Sequence, residues 1–144
     1  MTKSSQPIAV ITGASSGIGA ASALTLSNDG WRVVLVARRA DRLEELATTI
    51  REAGGEAMVE ALDASRGSAV NEMADRVLAI WGAPSLVVNS AGAGIWRFLE
   101  ETTPAEIDSM IGAPYLAAAQ TSRAFIGEMI AAGRGLLIHV GSPA

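Results

Sequence analysis

The residues with the clearest chemistry lie at positions 12–19, where Thr12, Gly13, Ala14, Ser15, Ser16, Gly17, Ile18 and Gly19 follow a short apolar run. A strand that feeds such a turn, and then a helix, builds an anion site. Gly13 permits the tight exit from the strand, Gly17 lets the backbone approach a pyrophosphate, and Gly19 lets the helix sit close to the sheet. The helix N-terminus adds unpaired amide N–H groups and the positive end of its dipole. Glycines also serve ordinary turns, so the strand–turn–helix context carries the weight of this reading.

A second group sits at the end of the next apolar run, where Ala37 is followed by Arg38 and Arg39. A carboxylate at that position would accept from the ribose hydroxyls of NAD, whereas a guanidinium pairs with the 2′-phosphate of NADP. Its charge and forked geometry suit phosphate. The expectation is therefore NADP(H), with Arg38 favoured over Arg39 because adjacent side chains diverge. The alternative is a pair of solvated charges on a strand-to-helix loop. Other chemistries are closed. The chain has no cysteine and a single histidine, His139, which excludes thiolate nucleophiles, disulfides and a His-cluster zinc site.

The elements that must position these groups alternate along the chain. Apolar runs at 8–12, 33–37, 57–62, 86–88 and 136–140 are short, rich in β-branched residues and non-alternating, as in strands buried on both faces of a parallel sheet. Helical patterns separate them. Leu43, Leu46, Ala47 and Ile50 mark one helix, with Asp41 and Glu44 resembling a capping box; Val70, Met73, Val77 and Ile80 mark another. A long helix is expected over 104–132, with Pro104 in its first turn. This order predicts one α/β domain over 1–144, a Rossmann-type doubly wound parallel sheet of about five strands. His139, inside the fifth run, reads as a core or satisfied histidine. Trp31, Trp81 and Trp96 fall at element boundaries and are expected to pack, with Trp96 a candidate to border the nicotinamide side.

Together the motifs resemble the classical short-chain dehydrogenases/reductases, Rossmann-fold oxidoreductases that use NAD(H) or NADP(H). The Thr12-Gly-x-x-x-Gly-x-Gly turn is similar to the family fingerprint. Asn89-Ser90-Ala91-Gly92 resembles its Asn-Asn-Ala-Gly motif, with Ser90 replacing the second Asn. The resemblance implies cofactor contacts from Gly13, Ser15, Ser16, Gly17, Ile18, Gly19, Arg38, Arg39, Asp63, Asn89, Ala91 and Gly92. It gives Asp63 the adenine, brings Ser15 into the phosphate pocket, and makes Ser142 the catalytic serine that holds the substrate oxygen. The implied reaction is hydride transfer between nicotinamide and a small carbonyl or alcohol substrate.

Two departures matter. The family's general acid is a tyrosine with a lysine four residues later, yet Tyr115 is the only tyrosine, Ala119 stands four residues on, and Lys3 is the only lysine. No Tyr-x-x-x-Lys pair can be assembled, so this chain by itself is expected to bind cofactor without turnover and to represent the N-terminal, cofactor-binding part of such an enzyme. Pro114 occupies the position of the family's helical Asn, where proline removes a hydrogen bond and bends the axis.

With 11 basic against 15 acidic residues the net charge is −4, and no basic run suggests nucleic acid or an anionic membrane surface. No apolar stretch has membrane-spanning length, and residues 1–7 lack a signal-like core, so a cytoplasmic protein is expected. The strand at 136–140 should form an exposed edge, and the helix at 104–132 a homo-oligomer contact. Two other readings compete: an inactive NADP(H)-sensing or partner-binding module, and an S-adenosylmethionine-dependent methyltransferase. The second expects an acidic residue where Arg38 stands.

Overall fold

The computed structural model describes residues 6–94 and 96–141. In chain order it contains β1 (Ile8–Thr12), α1 (Gly17–Asn28), β2 (Arg32–Ala37), α2 (Ala40–Glu52), β3 (Glu56–Ala61), α3 (Gly67–Ile80) and β4 (Leu86–Asn89). A 3₁₀ turn (Leu99–Glu101), α4 (Pro104–Ile111), a π-helical turn (Gly112–Leu116), α5 (Ala117–Ala131) and β5 (Leu136–His139) complete it. All five strands are parallel in the order β3-β2-β1-β4-β5. The sheet reverses direction between β1 and β4, a crevice where Rossmann-type sheets bind ligands at the carboxyl ends of their strands.

The continuous apolar runs conceal a period of two. Ile8 and Val10 of β1, Val34 and Val36 of β2, and Val87 of β4 face α3 and α5, against Val70, Met73, Val77, Phe125 and Met129. The intervening Ala9, Ile11, Val33, Leu35, Leu86 and Val88 face the other layer, with Ala23, Leu43, Ala47 and Ile50 of α1 and α2. Both faces are covered, which is why these strands carry no polar alternation. A charged pair lies within this frame. Arg76 of α3 donates to both carboxylate oxygens of the buried Glu60, at 3.2 and 2.6 Å, fixing α3 to β3.

Several expectations are corrected. The helix over 104–132 runs as expected from Pro104 to Ala131, but it is not α-helical throughout. Pro114 has no N–H to donate, and the chain absorbs the gap by widening to i→i+5 bonding, so that Ala117 N–H donates to the Gly112 carbonyl. Asp41 is no cap: α2 begins at Ala40 with Arg39 as its N-cap and no side-chain capping bond. The true capping box is Thr103 with Glu106, at the start of α4. Trp31 and Trp81 are half-buried, Trp81 with the Arg32 guanidinium 5.2 Å from its ring, but Trp96 is 95% exposed. His139 is not a core residue. β5 pairs only with β4 among the described residues, and its side chains are largely exposed, Leu136 to 57%. No helix among the described residues is long and apolar enough to cross a membrane.

Candidate nucleotide and substrate site

Each glycine of the first turn has its own local cause. Gly13 has φ +68°, and a Cβ built there would lie 2.5 Å from the Ser90 carbonyl oxygen, because the turn after β4 packs directly on it. Gly19 opens α1 against the turn itself: its Cβ would strike the Gly13 carbonyl oxygen. Gly17 also has positive φ, +56°, but a Cβ there would meet nothing within 4 Å. Two of these glycines therefore serve packing. The third leaves an open approach to the backbone where α1 starts. Ser16, the N-cap, makes no side-chain capping bond, and the first turn of α1 carries no acidic residue. Its amides and dipole thus remain available to an anion. Ser16 and Ile18 are exposed beside this opening.

The two turns of the crevice are tied together by Thr12, the first residue of the glycine-rich motif. Its hydroxyl accepts from the backbone N–H groups of Ser90 and Ala91, both at 3.2 Å. A hydroxyl at the last residue of a strand is the only sequence signal for such a clamp. Ala91 and Gly92 continue from it toward solvent, Gly92 exposed. Asn89, expected as a cofactor contact, is held by bonds within the chain. It is buried, its side-chain amide nitrogen donates to the Ser122 hydroxyl at 3.1 Å and lies 3.4 Å from Nδ1 of His139, and its backbone carbonyl accepts from Val140 N–H. It fixes β4, β5 and α5 to one another.

At the end of β2 the structure separates the two arginines. Arg39 donates to the Ser15 hydroxyl at 3.0 Å, so the β2–α2 turn and the glycine-rich turn form one polar cradle. Arg38, the arginine favoured from the sequence, is exposed beside this cradle and acts on Asp63 by charge. Asp63 caps the loop after β3: its Oδ1 accepts from the Ser65 hydroxyl at 2.7 Å and from Ser65 N–H at 3.0 Å. These bonds, first the hydroxyl and then the amide, hold its carboxyl below the usual carboxylate range, helped by the Arg38 and Arg66 charges.

Beyond β4 lies a cavity of about 300 Å³, lined by Asn89, Pro114, Tyr115, Ala118, Ala119, His139 and Val140. It brings the chain's one tyrosine and one histidine to a single opening, a juxtaposition the sequence does not announce. Ser142, the expected catalytic serine, lies outside the described residues. No cluster of His, Asp and Glu among the described residues is arranged to hold a metal ion.

Comparison with known proteins agrees with this architecture. The model of the short chain dehydrogenase family matches residues 7–144. An uncharacterized oxidoreductase of Mycobacterium bovis is 38% identical over 140 residues, covering 94% of this chain and 41% of its own length. A metagenomic short-chain oxidoreductase solved with NADP superposes with a TM-score of 0.90 at 43% identity, over 96% of this chain and 63% of the other. An alcohol dehydrogenase from Thermococcus sibiricus, solved with 5-hydroxy-NADP, gives 0.85 and 39%, over 92% and 56%. The chain thus spans about two fifths to two thirds of the length of these relatives.

Proposed function

Because the chain belongs to the short chain dehydrogenase family, we propose that it binds NADP(H) across the carboxyl ends of β1, β2 and β4. In this reading it is the nucleotide-holding part of an oxidoreductase that interconverts a carbonyl and an alcohol. The observation that carries the reading is the Ser15–Arg39 cradle beside the open backbone of Gly17. A guanidinium already held by a neighbouring hydroxyl loses less freedom on meeting a phosphate, which favours the 2′-phosphorylated nucleotide. The NADP-bound relatives support the same choice.

The residues fit the group they would hold. The Gly17–Gly19 amides and the α1 N-terminus take the pyrophosphate, Arg39 and Ser15 take the 2′-phosphate, and the Asp63 loop borders the adenine. Ala91 and Gly92 border the nicotinamide end, and Ser142 holds the substrate oxygen. The bound cofactor supplies or accepts the hydride. This chain orients it and excludes water, but has no Tyr-x-x-x-Lys pair to move the accompanying proton. The 144 residues alone therefore bind without turnover, and an inactive NADP(H)-sensing module is the second reading that this absence supports. Self-association through the exposed apolar residues of α4 and α5 belongs to the same proposal.

Calorimetric titration with NADPH and NADH tests the reading. NADPH is expected to bind more tightly, by about tenfold or more, or ~1.4 kcal/mol. Equal affinities, or none for either nucleotide, would overturn it.

A further inference from the structure

We propose that Ser65 is a positioning residue for the purine base: it makes the Asp63 carboxylate a fixed acceptor that selects adenine over a 6-oxopurine. The inference rests on the NADP(H) reading above. It starts from the way the chain leaves β3. Leu62 N–H donates to the Ala37 carbonyl at 2.9 Å, which carries the β2–β3 pairing one residue past Ala61. Asp63 therefore emerges beside the end of β2, within reach of the Arg38 charge. The Ser15–Arg39 cradle opens from the same strand end.

Asp63 is only half-buried, and an aspartate in such a place would ordinarily turn about its side-chain bonds. Ser65 prevents this. Its hydroxyl donates to Oδ1 at 2.7 Å, and its backbone N–H donates to the same oxygen at 3.0 Å. Two donors on one oxygen, both from a residue two positions on, fix the torsions of the carboxylate. Oδ2 takes part in neither bond, which leaves that oxygen to the base. Ser65 itself is seated from the other side. A Cβ built on Gly112, where the π-helical turn begins, would lie 3.7 Å from the Ser65 Cβ and 3.8 Å from its Oγ.

The charge state decides which base is accepted. The two Ser65 bonds, helped by the Arg38 and Arg66 charges, hold the Asp63 carboxyl below the usual range. At neutral pH it therefore accepts hydrogen bonds and donates none. Adenine presents an exocyclic amine at C6, which is a donor. Hypoxanthine presents a carbonyl there, and its lone pairs face those of the carboxylate. A carboxylate freed from Ser65 would lose more freedom on meeting the amine. It could also swing away from the carbonyl, or onto the N1–H of hypoxanthine, so both sides of the preference depend on the hydroxyl.

The test titrates the parent chain, Ser65→Ala and Ser65→Thr with NADPH and with its hypoxanthine analogue, deamino-NADPH, by calorimetry. The parent is expected to prefer NADPH by about tenfold, the low end for a hydrogen bond to a charged group. Ser65→Ala keeps the Cβ that lies beside Gly112 and loses only the hydroxyl. It should weaken NADPH by about three- to tenfold and leave deamino-NADPH nearly unchanged, so that the preference flattens. Ser65→Thr restores the hydroxyl and should keep the preference. A role confined to folding would weaken both nucleotides alike. Three results overturn the inference and leave the NADP(H) reading standing: no preference in the parent, equal losses in Ser65→Ala, or a threonine variant that behaves like the alanine one. A parent that binds neither nucleotide refutes the NADP(H) reading, and the inference with it.

Discussion

Arg39 donates a hydrogen bond to the Ser15 hydroxyl at 3.0 Å, joining two turns that lie 24 positions apart in sequence. The bond holds the guanidinium where the glycine-rich turn opens, whereas Arg38 is exposed and acts on Asp63 only by charge. Arg39→Ala should therefore weaken NADPH binding by about ten- to a hundredfold, the range of a lost charged hydrogen bond, and leave NADH nearly unaffected. Arg38→Ala should cost clearly less. Titration of both variants ranks the two arginines; a larger loss at Arg38 would mean that the Ser15 contact does not position the phosphate group.

Gly13 and Gly17 both have positive φ, yet only Gly13 is crowded. Gly13→Ala sets a methyl against the Ser90 carbonyl and should cost about 3 kcal/mol of stability through strain and displacement of the β4 turn. Gly17→Ala meets no neighbour, so its cost is the left-handed conformation alone, about 1–2 kcal/mol. Its methyl projects instead into the space where the backbone would meet a pyrophosphate. Urea unfolding beside NADPH titration separates the two effects: Gly13→Ala mainly unfolds the protein, and Gly17→Ala mainly stops it binding.

These contrasts mark how far the sequence could be read. The parallel sheet was legible because short β-branched runs and helical repeats alternate without interruption, and because burial on both faces leaves the strands no regular alternation of polar residues. The first turn was legible because glycine spacing reflects backbone geometry directly. What escaped depends on distant parts of the chain. Nothing local shows that Arg39 rather than Arg38 turns toward Ser15, or that Thr12 clamps the turn after β4. His139 was misplaced for the same reason: its apolar neighbours suggest a core, but a strand is buried only if something covers it, and β5 is an edge among the described residues. The π-turn was half legible. Pro114 told of a missing N–H, and not that five residues would widen to absorb it.

Glu60 and Arg76 provide a test of the ion pair that ties α3 to β3. The Glu60 side chain is 9% exposed and that of Arg76 49%, so the two partners are not equivalent. Hydrogen bonding to Glu60 raises the Arg76 pKa further, and the arginine stays charged. Arg76→Met strands a buried carboxylate and should cost about 2 kcal/mol, less than for a fully buried pair because water reaches the arginine side. Adding Glu60→Gln to it should restore part of the loss. A shift in urea midpoint at unchanged slope would report this as stability alone; equal loss in the single and double variants would show that the charge is not what matters.

Asp63 makes stability depend on pH in a definite direction. Its carboxyl is held below its unfolded value, chiefly by the Ser65 hydroxyl and amide, so the folded state favours the carboxylate. That contribution is present above the ordinary carboxylate range and is lost as pH falls through the lowered folded value. Glu106, lowered by the Thr103 amide and hydroxyl, acts with the same sign. Melting temperature should therefore fall as pH drops below about 4, and Asp63→Asn should flatten that fall while lowering stability at neutral pH. An unchanged acid slope in this variant would remove Asp63 from the account.

Ile107 and Ile111 of α4, and Ile126 and Ile130 of α5, are exposed in i, i+4 pairs, Ile130 to 72%. Such pairs make a continuous apolar stripe along a helix, and a stripe left in water favours self-association. Because the side chains are already solvated, replacing Ile111 or Ile130 by Asp removes little packing within one chain, and the change in folding stability should stay within about 0.5 kcal/mol. The effect on assembly should be large, since an interface core rejects an unpaired charge. Sedimentation equilibrium of the parent chain and of Ile111→Asp and Ile130→Asp decides the matter. A parent that associates and variants that remain monomeric place the contact on these helices, whereas association unchanged in both variants moves it elsewhere, the open edge of β5 being the next surface to alter.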